Sequence, residues 1–215
     1  MIETSGFKPV PDRTMRAMSL PNVLTYGRII AVPALVLCFY IEGYVGRWLA
    51  LAIFIAASVT DYLDGYLARV WQQTSGLGRL LDPIADKLLV ATSLMLLVSD
   101  YTIGGWSMLA ALIILCREIF VSGLREFLAE LRVSVPVTRL AKWKTTLQMV
   151  AIGFLLVAPA GNSLFAGVKV PTPVGTSIGP ITFIGLTLLW VSALVTLYSG
   201  YDYFMVGFRH LMEDE

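Results

Sequence analysis

Four aspartates, Asp61, Asp64, Asp82 and Asp86, stand between Thr60 and Lys87, on either side of the short polar link that joins two apolar stretches. A charged side chain at the centre of a bilayer costs about 2.5–3.5 kcal/mol on insertion scales, so intramembrane acids normally have a use. On a helix, steps of about 100° per residue put Asp61, Asp64, Gly65 and Ala68 on one stripe. Gly78, Asp82 and Asp86 form a second stripe at i, i+4 and i+8. A short turn between two such helices makes them antiparallel, so the stripes can face each other near one membrane surface. Carboxylates gathered that closely repel unless cations sit among them. Hard oxygen ligands suit Mg²⁺, Mn²⁺ or Ca²⁺ rather than zinc or copper. A pair of such ions, about 3.5–4 Å apart, is a clamp for phosphoryl displacement. Gly65, Ala68 and Gly78 clear side chains from the same stripes, so a bulky ligand can lie against the backbone. Each residue also has a plainer use. Asp82 before Pro83 has the form of a helix cap, and Gly65 and Ala68 suit close helix packing. Four acids on two facing stripes favour the ion site.

A second chemistry comes from basic residues. Arg117 and Arg125 lie eight apart on one apolar stretch, and Lys142 and Lys144 open the next. Such cations suit a ligand bearing its own phosphate, arginine offering forked donors. Arg28, set in apolar sequence, joins that candidate group, and Glu118 and Glu126 can pair with neighbouring cations to hold them. Arg132 and Arg139 are expected to be topological anchors only. The single histidine, His210, falls in a polar tail, which argues against a histidine base. Cys38 and Cys116 sit in apolar blocks as packing residues and cannot make a disulfide framework or a four-ligand zinc site.

The elements that position these groups follow from composition. The chain has 215 residues, 57% apolar and 14% charged, with a net charge of +1. So much hydrocarbon belongs in a bilayer, and so little net charge gives no field to recruit nucleic acid. The sequence predicts an all-α polytopic membrane protein with six spans near 22–41, 47–70, 80–99, 104–126, 143–159 and 180–206. Residues 1–20, holding Lys8, Arg13 and Arg16, lack a cleavable signal and are expected to form a cytoplasmic segment with a short interfacial helix. Residues 21–208 are expected to be the six-helix domain and 209–215 a cytoplasmic tail. Fourteen of the sixteen Lys and Arg residues fall on one side, Arg47 and Lys169 on the other, which puts both termini and the aspartates at the cytoplasmic face. The loop from Pro159 to Pro180 is read as a connector without chemistry. A cation transporter with an acidic site is the rival outside enzyme chemistry. It would place acids near the midplane of two related halves, and no internal repeat is found.

The arrangement Asp61-x2-Asp64-Gly65-x2-Ala68-Arg69-x8-Gly78-x3-Asp82-x3-Asp86 resembles the signature of the CDP-alcohol phosphatidyltransferase family. The resemblance implies that Asp61, Asp64, Asp82 and Asp86 bind two divalent cations, Mg²⁺ or Mn²⁺, that hold the diphosphate of a CDP-linked lipid. It also implies that Asp86 is the general base. Asn22, Thr25, Gly65, Ala68, Arg69 and Gly78 would then border the CDP-lipid. The stretches Pro21–Arg28, Arg117–Ile119, Leu124–Glu126 and Lys142–Gln148 are similar to the branch of that family acting on sn-glycerol 3-phosphate. This implies CDP-diacylglycerol as donor, with Arg28, Arg117, Arg125, Lys142 and Lys144 at the acceptor phosphate. It further implies a homodimer in the bacterial inner membrane with its active site facing the cytoplasm. Inositol phosphate or phosphatidylglycerol as acceptor is the alternative within the family. A phospholipase-D-like lipid synthase would need two histidines.

Overall fold

A computed structural model of the chain describes residues 20–71, 76–130, 139–165, 167–172 and 177–213. The expected N-terminal interfacial helix lies outside them. The described residues form α1 (Leu20–Phe39), α2 (Tyr44–Trp71), α3 (Gly76–Ser99), α4 (Ser107–Glu130), α5 (Arg139–Leu164) and α6 (Pro180–Glu213). A two-stranded antiparallel ribbon, β1 (Val170–Pro171) with β2 (Ser177–Ile178), joins α5 to α6.

Among the described residues, four helices contain stretches long and apolar enough to cross a membrane: Tyr44–Asp61, Ser107–Leu128, Trp143–Leu164 and Pro180–Tyr201. Val23–Phe39 is a shorter apolar helix. Helix α3 interrupts its apolar run with Asp82, Asp86 and Lys87. It begins at Gly76, so Pro83 lies inside the helix and Asp82 is not its N-cap.

The helices bury Leu35, Phe54, Leu97, Ile114, Leu155 and Leu189 in one core, while Ile30, Leu37, Met95, Leu112 and Leu194 point outward. Lipid tails are as apolar as leucine, so association depends on close packing, and buried Ala50, Ala57, Ala110, Ala151 and Ala193 permit it. Helices α5 and α6 pack most extensively; α2 lies on α5, and α4 on α6. Helix α1 packs against both α2 and α3, which make little backbone contact with each other among the described residues. A β-carbon at Gly185 would stand 2.8 Å from Leu155 Cδ2, so glycine there lets α5 and α6 touch.

Two clamps close the end away from the aspartates. Asp100, in the α3–α4 turn, accepts from Arg47 at the start of α2, and from Thr102 N–H at 3.0 Å. The Arg47 guanidinium also lies 4.2 Å from the centre of the Phe39 ring. The connector expected from Pro159 is partly helical, because α5 runs through Pro159 to Leu164. There Asn162 Oδ1 accepts the Ile181 N–H at 2.9 Å and its amide donates to Thr182 Oγ1 at 2.7 Å. Asn162 thereby supplies a partner to one of the otherwise unpaired donors of α6's first turn.

Candidate active site

The aspartates are organised by α1. Thr25 is buried one turn before Arg28, and its hydroxyl donates to Asp82 Oδ1. Arg28 Nη1 lies 2.6 Å from Asp61 Oδ1, with the arginine side chain fully buried and the aspartate 39% exposed. This asymmetry fixes the carboxylate from behind while leaving its front open to a ligand. Asp86 follows Asp82 by one turn of α3 and is partly buried. Lys87, next along, donates from Nζ to the Pro83 carbonyl at 3.1 Å. Asp64, Gly65, Ala68 and Arg69 fall in the last turns of α2, and Gly78 in the first turn of α3. Their side chains, with that of Asn22 in α1, lie outside the described residues.

Across the bundle, α4, α5 and α6 assemble the cations. Lys144 Nζ lies 2.6 Å from Glu118 Oε1, and Arg117 Nη2 donates to Ser199 Oγ at 3.0 Å. A β-carbon at Gly200 would lie 3.1 Å from Arg117 Cγ, so glycine gives the arginine stem room against α6. The structure thus brings Arg117 and Lys144 onto neighbouring helices, with Gln148 buried one turn beyond Lys144. Arg28 meets Asp61 instead, and Arg125 is exposed two turns farther along α4. The side chain of Lys142, and those of Arg132 and Arg139, lie outside the described residues.

An apolar groove of about 620 Å³ runs between α2 and α5. Phe54, Ile55, Ser58, Met149, Gly153 and Phe154 line it, and Asp61 stands in its wall. Polar chemistry and a slot for hydrocarbon therefore share one residue. The groove was missed in the sequence because its walls come from helices about 90 residues apart, each reading as an ordinary span. Ser199, the partner of Arg117, was also missed, although Ser192, Thr196 and Ser199 form a small polar stripe on apolar α6.

Among the described residues no three acidic, cysteine or histidine side chains gather closely enough to hold an ion. The donor chemistry nevertheless fits a hard divalent cation. Asp61, Asp82 and Asp86 offer hard carboxylate oxygens, and Asp61 already draws the buried Arg28 cation to itself.

Residues 18–198 match the CDP-alcohol phosphatidyltransferase family model, and the chain belongs to that family. It is a membrane transferase, in keeping with its apolar helices. Members of the family generally use divalent metals. The chain is 38% identical over 218 residues to the CDP-diacylglycerol–glycerol-3-phosphate 3-phosphatidyltransferase of Cereibacter sphaeroides, covering 92% of this chain and 99% of the relative. It is 41% identical over 186 residues to the enzyme of that name from Rickettsia bellii, covering 86% and 93%. The Shigella flexneri serotype 5b enzyme of that name is 38% identical over 197 residues, covering 91% and 98%.

Proposed function

We propose that this protein transfers the phosphatidyl group of CDP-diacylglycerol to sn-glycerol 3-phosphate, giving phosphatidylglycerophosphate and CMP. The observation that supports this most is the position of Asp61, held by the buried Arg28 and also part of the wall of an apolar groove. A ligand with a diphosphate head and hydrocarbon tails suits such a join. The names of the relatives favour the same donor and acceptor.

In this reading the donor's acyl chains lie in the groove between α2 and α5. Asn22, Thr25, Gly65, Ala68, Arg69 and Gly78 border its cytidine and diphosphate. Asp61, Asp64, Asp82 and Asp86 hold two divalent cations, Mg²⁺ or Mn²⁺. When bound, these ions neutralise the diphosphate and stabilise the departing CMP. Arg28 and Thr25 keep Asp61 and Asp82 aimed at the site. Asp86 takes the proton of the acceptor hydroxyl as that oxygen attacks phosphorus and the bond to CMP breaks. A single displacement suffices, since the motif offers no separate nucleophile.

The acceptor phosphate meets Arg117 and Lys144, with Arg28, Arg125 and Lys142 adding positive potential. All six helices cross the bacterial inner membrane in a homodimer, with the aspartates facing the cytoplasm. The deciding assay gives the purified enzyme CDP-diacylglycerol with glycerol 3-phosphate, inositol phosphate, phosphatidylglycerol or serine in turn and measures CMP release. Rapid turnover is expected with glycerol 3-phosphate alone; a preference for another acceptor refutes the assignment.

A further inference from the structure

Glu118 has no role in the displacement, yet it occupies one of the cations assigned to the acceptor. Its carboxylate lies 2.6 Å from Lys144 Nζ, the two side chains being 20% and 5% exposed. A phosphate approaching Lys144 therefore meets an anion already in place, and two anions at one shielded ammonium repel strongly. Glu118 also lines a second groove, of about 270 Å³, between α3 and α4. Lys87 and Ser122 stand in the wall of that groove, and Glu126 shares it. Lys87 Nζ gives one hydrogen bond to the Pro83 carbonyl. An ammonium has three donors, so Lys87 can accept a second partner.

We propose that Glu118 is an internal competitor for the acceptor-phosphate site: it holds Lys144 while the site is empty, swings toward Lys87 and Ser122 when a phosphate arrives, and reclaims Lys144 as the phosphorylated product leaves. This rests on the reading that Lys144 meets the acceptor phosphate. The exchange makes and breaks ion pairs only. Its consequence is kinetic. Inorganic phosphate, which lacks a glycerol moiety to add contacts, has to displace a carboxylate before it can block the site. The product keeps its phosphate after transfer, and it is released faster because Glu118 returns. Glu118 is thus a positioning residue acting through Lys144.

The test compares purified full-length wild type with Glu118→Gln, Glu118→Asp, Lys87→Met and Lys144→Ala, using inorganic phosphate as inhibitor and glycerol 3-phosphate as substrate. In Glu118→Gln the phosphate Ki should fall about fivefold or more, with acceptor KM and kcat falling together, because a tighter site releases product more slowly. Glu118→Asp, which keeps the charge, should stay within about twofold of wild type in phosphate Ki. Lys87→Met removes the alternative seat and should raise acceptor KM about threefold, with the KM for CDP-diacylglycerol unchanged. A merely structural Glu118 would lower kcat without tightening phosphate binding. An unchanged or raised phosphate Ki in Glu118→Gln, alongside a raised Ki in Lys144→Ala, overturns this proposal alone. An unchanged phosphate Ki in Lys144→Ala overturns the phosphate site beneath it.

Discussion

Filling the groove between α2 and α5 tests whether it seats the donor's hydrocarbon. Gly153 lines it, and a β-carbon there would lie 3.5 Å from Leu51 Cδ1, an ordinary contact. Gly153→Leu is therefore tolerated at the β-carbon, and its remaining carbons compete with a ligand for the 620 Å³ of groove. The size of the effect depends on where a displaced chain goes. From water, each methylene would be worth about 0.8 kcal/mol. A displaced acyl chain enters bilayer hydrocarbon instead, so that transfer term nearly cancels. What is lost is packing, about 0.1–0.2 kcal/mol per heavy-atom contact. Ten to fifteen lost contacts then amount to roughly 2 kcal/mol, a rise of about thirtyfold in KM for a long-chain donor. A short-chain CDP-lipid that does not reach Gly153 should keep its wild-type KM, as should glycerol 3-phosphate. The assay is initial-rate CMP release in mixed micelles at fixed surface concentration of donor. Equal losses for the short- and long-chain donors, or no loss for either, would refute the seating of hydrocarbon between α2 and α5.

Arg117→Ala and Lys144→Ala should each raise acceptor KM about tenfold, since a charge-assisted contact is worth about 1.5–3 kcal/mol. Arg132→Ala and Arg139→Ala should leave both KM values near wild type; identical behaviour of all four variants would reduce the basic cluster to a topology signal. Chelation should abolish activity and Mg²⁺ or Mn²⁺ restore it, while Asp61→Asn, Asp64→Asn and Asp82→Asn lose nearly all turnover yet still insert. Full activity after exhaustive chelation contradicts the ion site. Arg47→Ala or Asp100→Ala breaks a pair whose side chains are 17% and 19% exposed, and should cost about 1–3 kcal/mol, read as a lower Tm with unchanged KM values. An unchanged Tm would show that the clamp contributes nothing.

The helices and the pairing of Glu118 with a basic neighbour were legible because they depend on local periodicity and charge. Helix α1 between the stripes was not. The spacing of Asp61, Asp64, Asp82 and Asp86 suggests α2 directly against α3, whereas the structure sets α1 against both and supplies Thr25 and Arg28 from it. Nothing in residues 61–86 reports on a helix that precedes them. The alternative reading of Asp82 as a cap is excluded for a related reason: Gly76 to Leu81 extend α3 backward, and Pro83 is tolerated inside it while Asp82 turns to Thr25. The connector from Pro159, rich in proline and glycine, gives no sequence signal of its internal contacts. Asn162, placed by α5's continuation, bonds the first turn of α6.

The buried Arg28 also bears on how the chain enters the bilayer during synthesis. Helix α1 emerges before α2, with an apolar stretch of only Val23–Phe39 and an arginine whose counter-ion, Asp61, is still inside the ribosome. An arginine without its partner costs a lone helix about 2.5–3.5 kcal/mol, enough to make its insertion unstable. Once α2 follows through the tight turn at Gly43, Arg28 and Asp61 neutralise each other and the two helices can partition as a hairpin. Stable residence of α1 should therefore wait for α2 in a staged-insertion assay, and Arg28→Leu should abolish that dependence. Unaided insertion of the native helix would contradict it. The ion pair that fixes the first aspartate would then also be the point at which the nascent chain commits to the membrane.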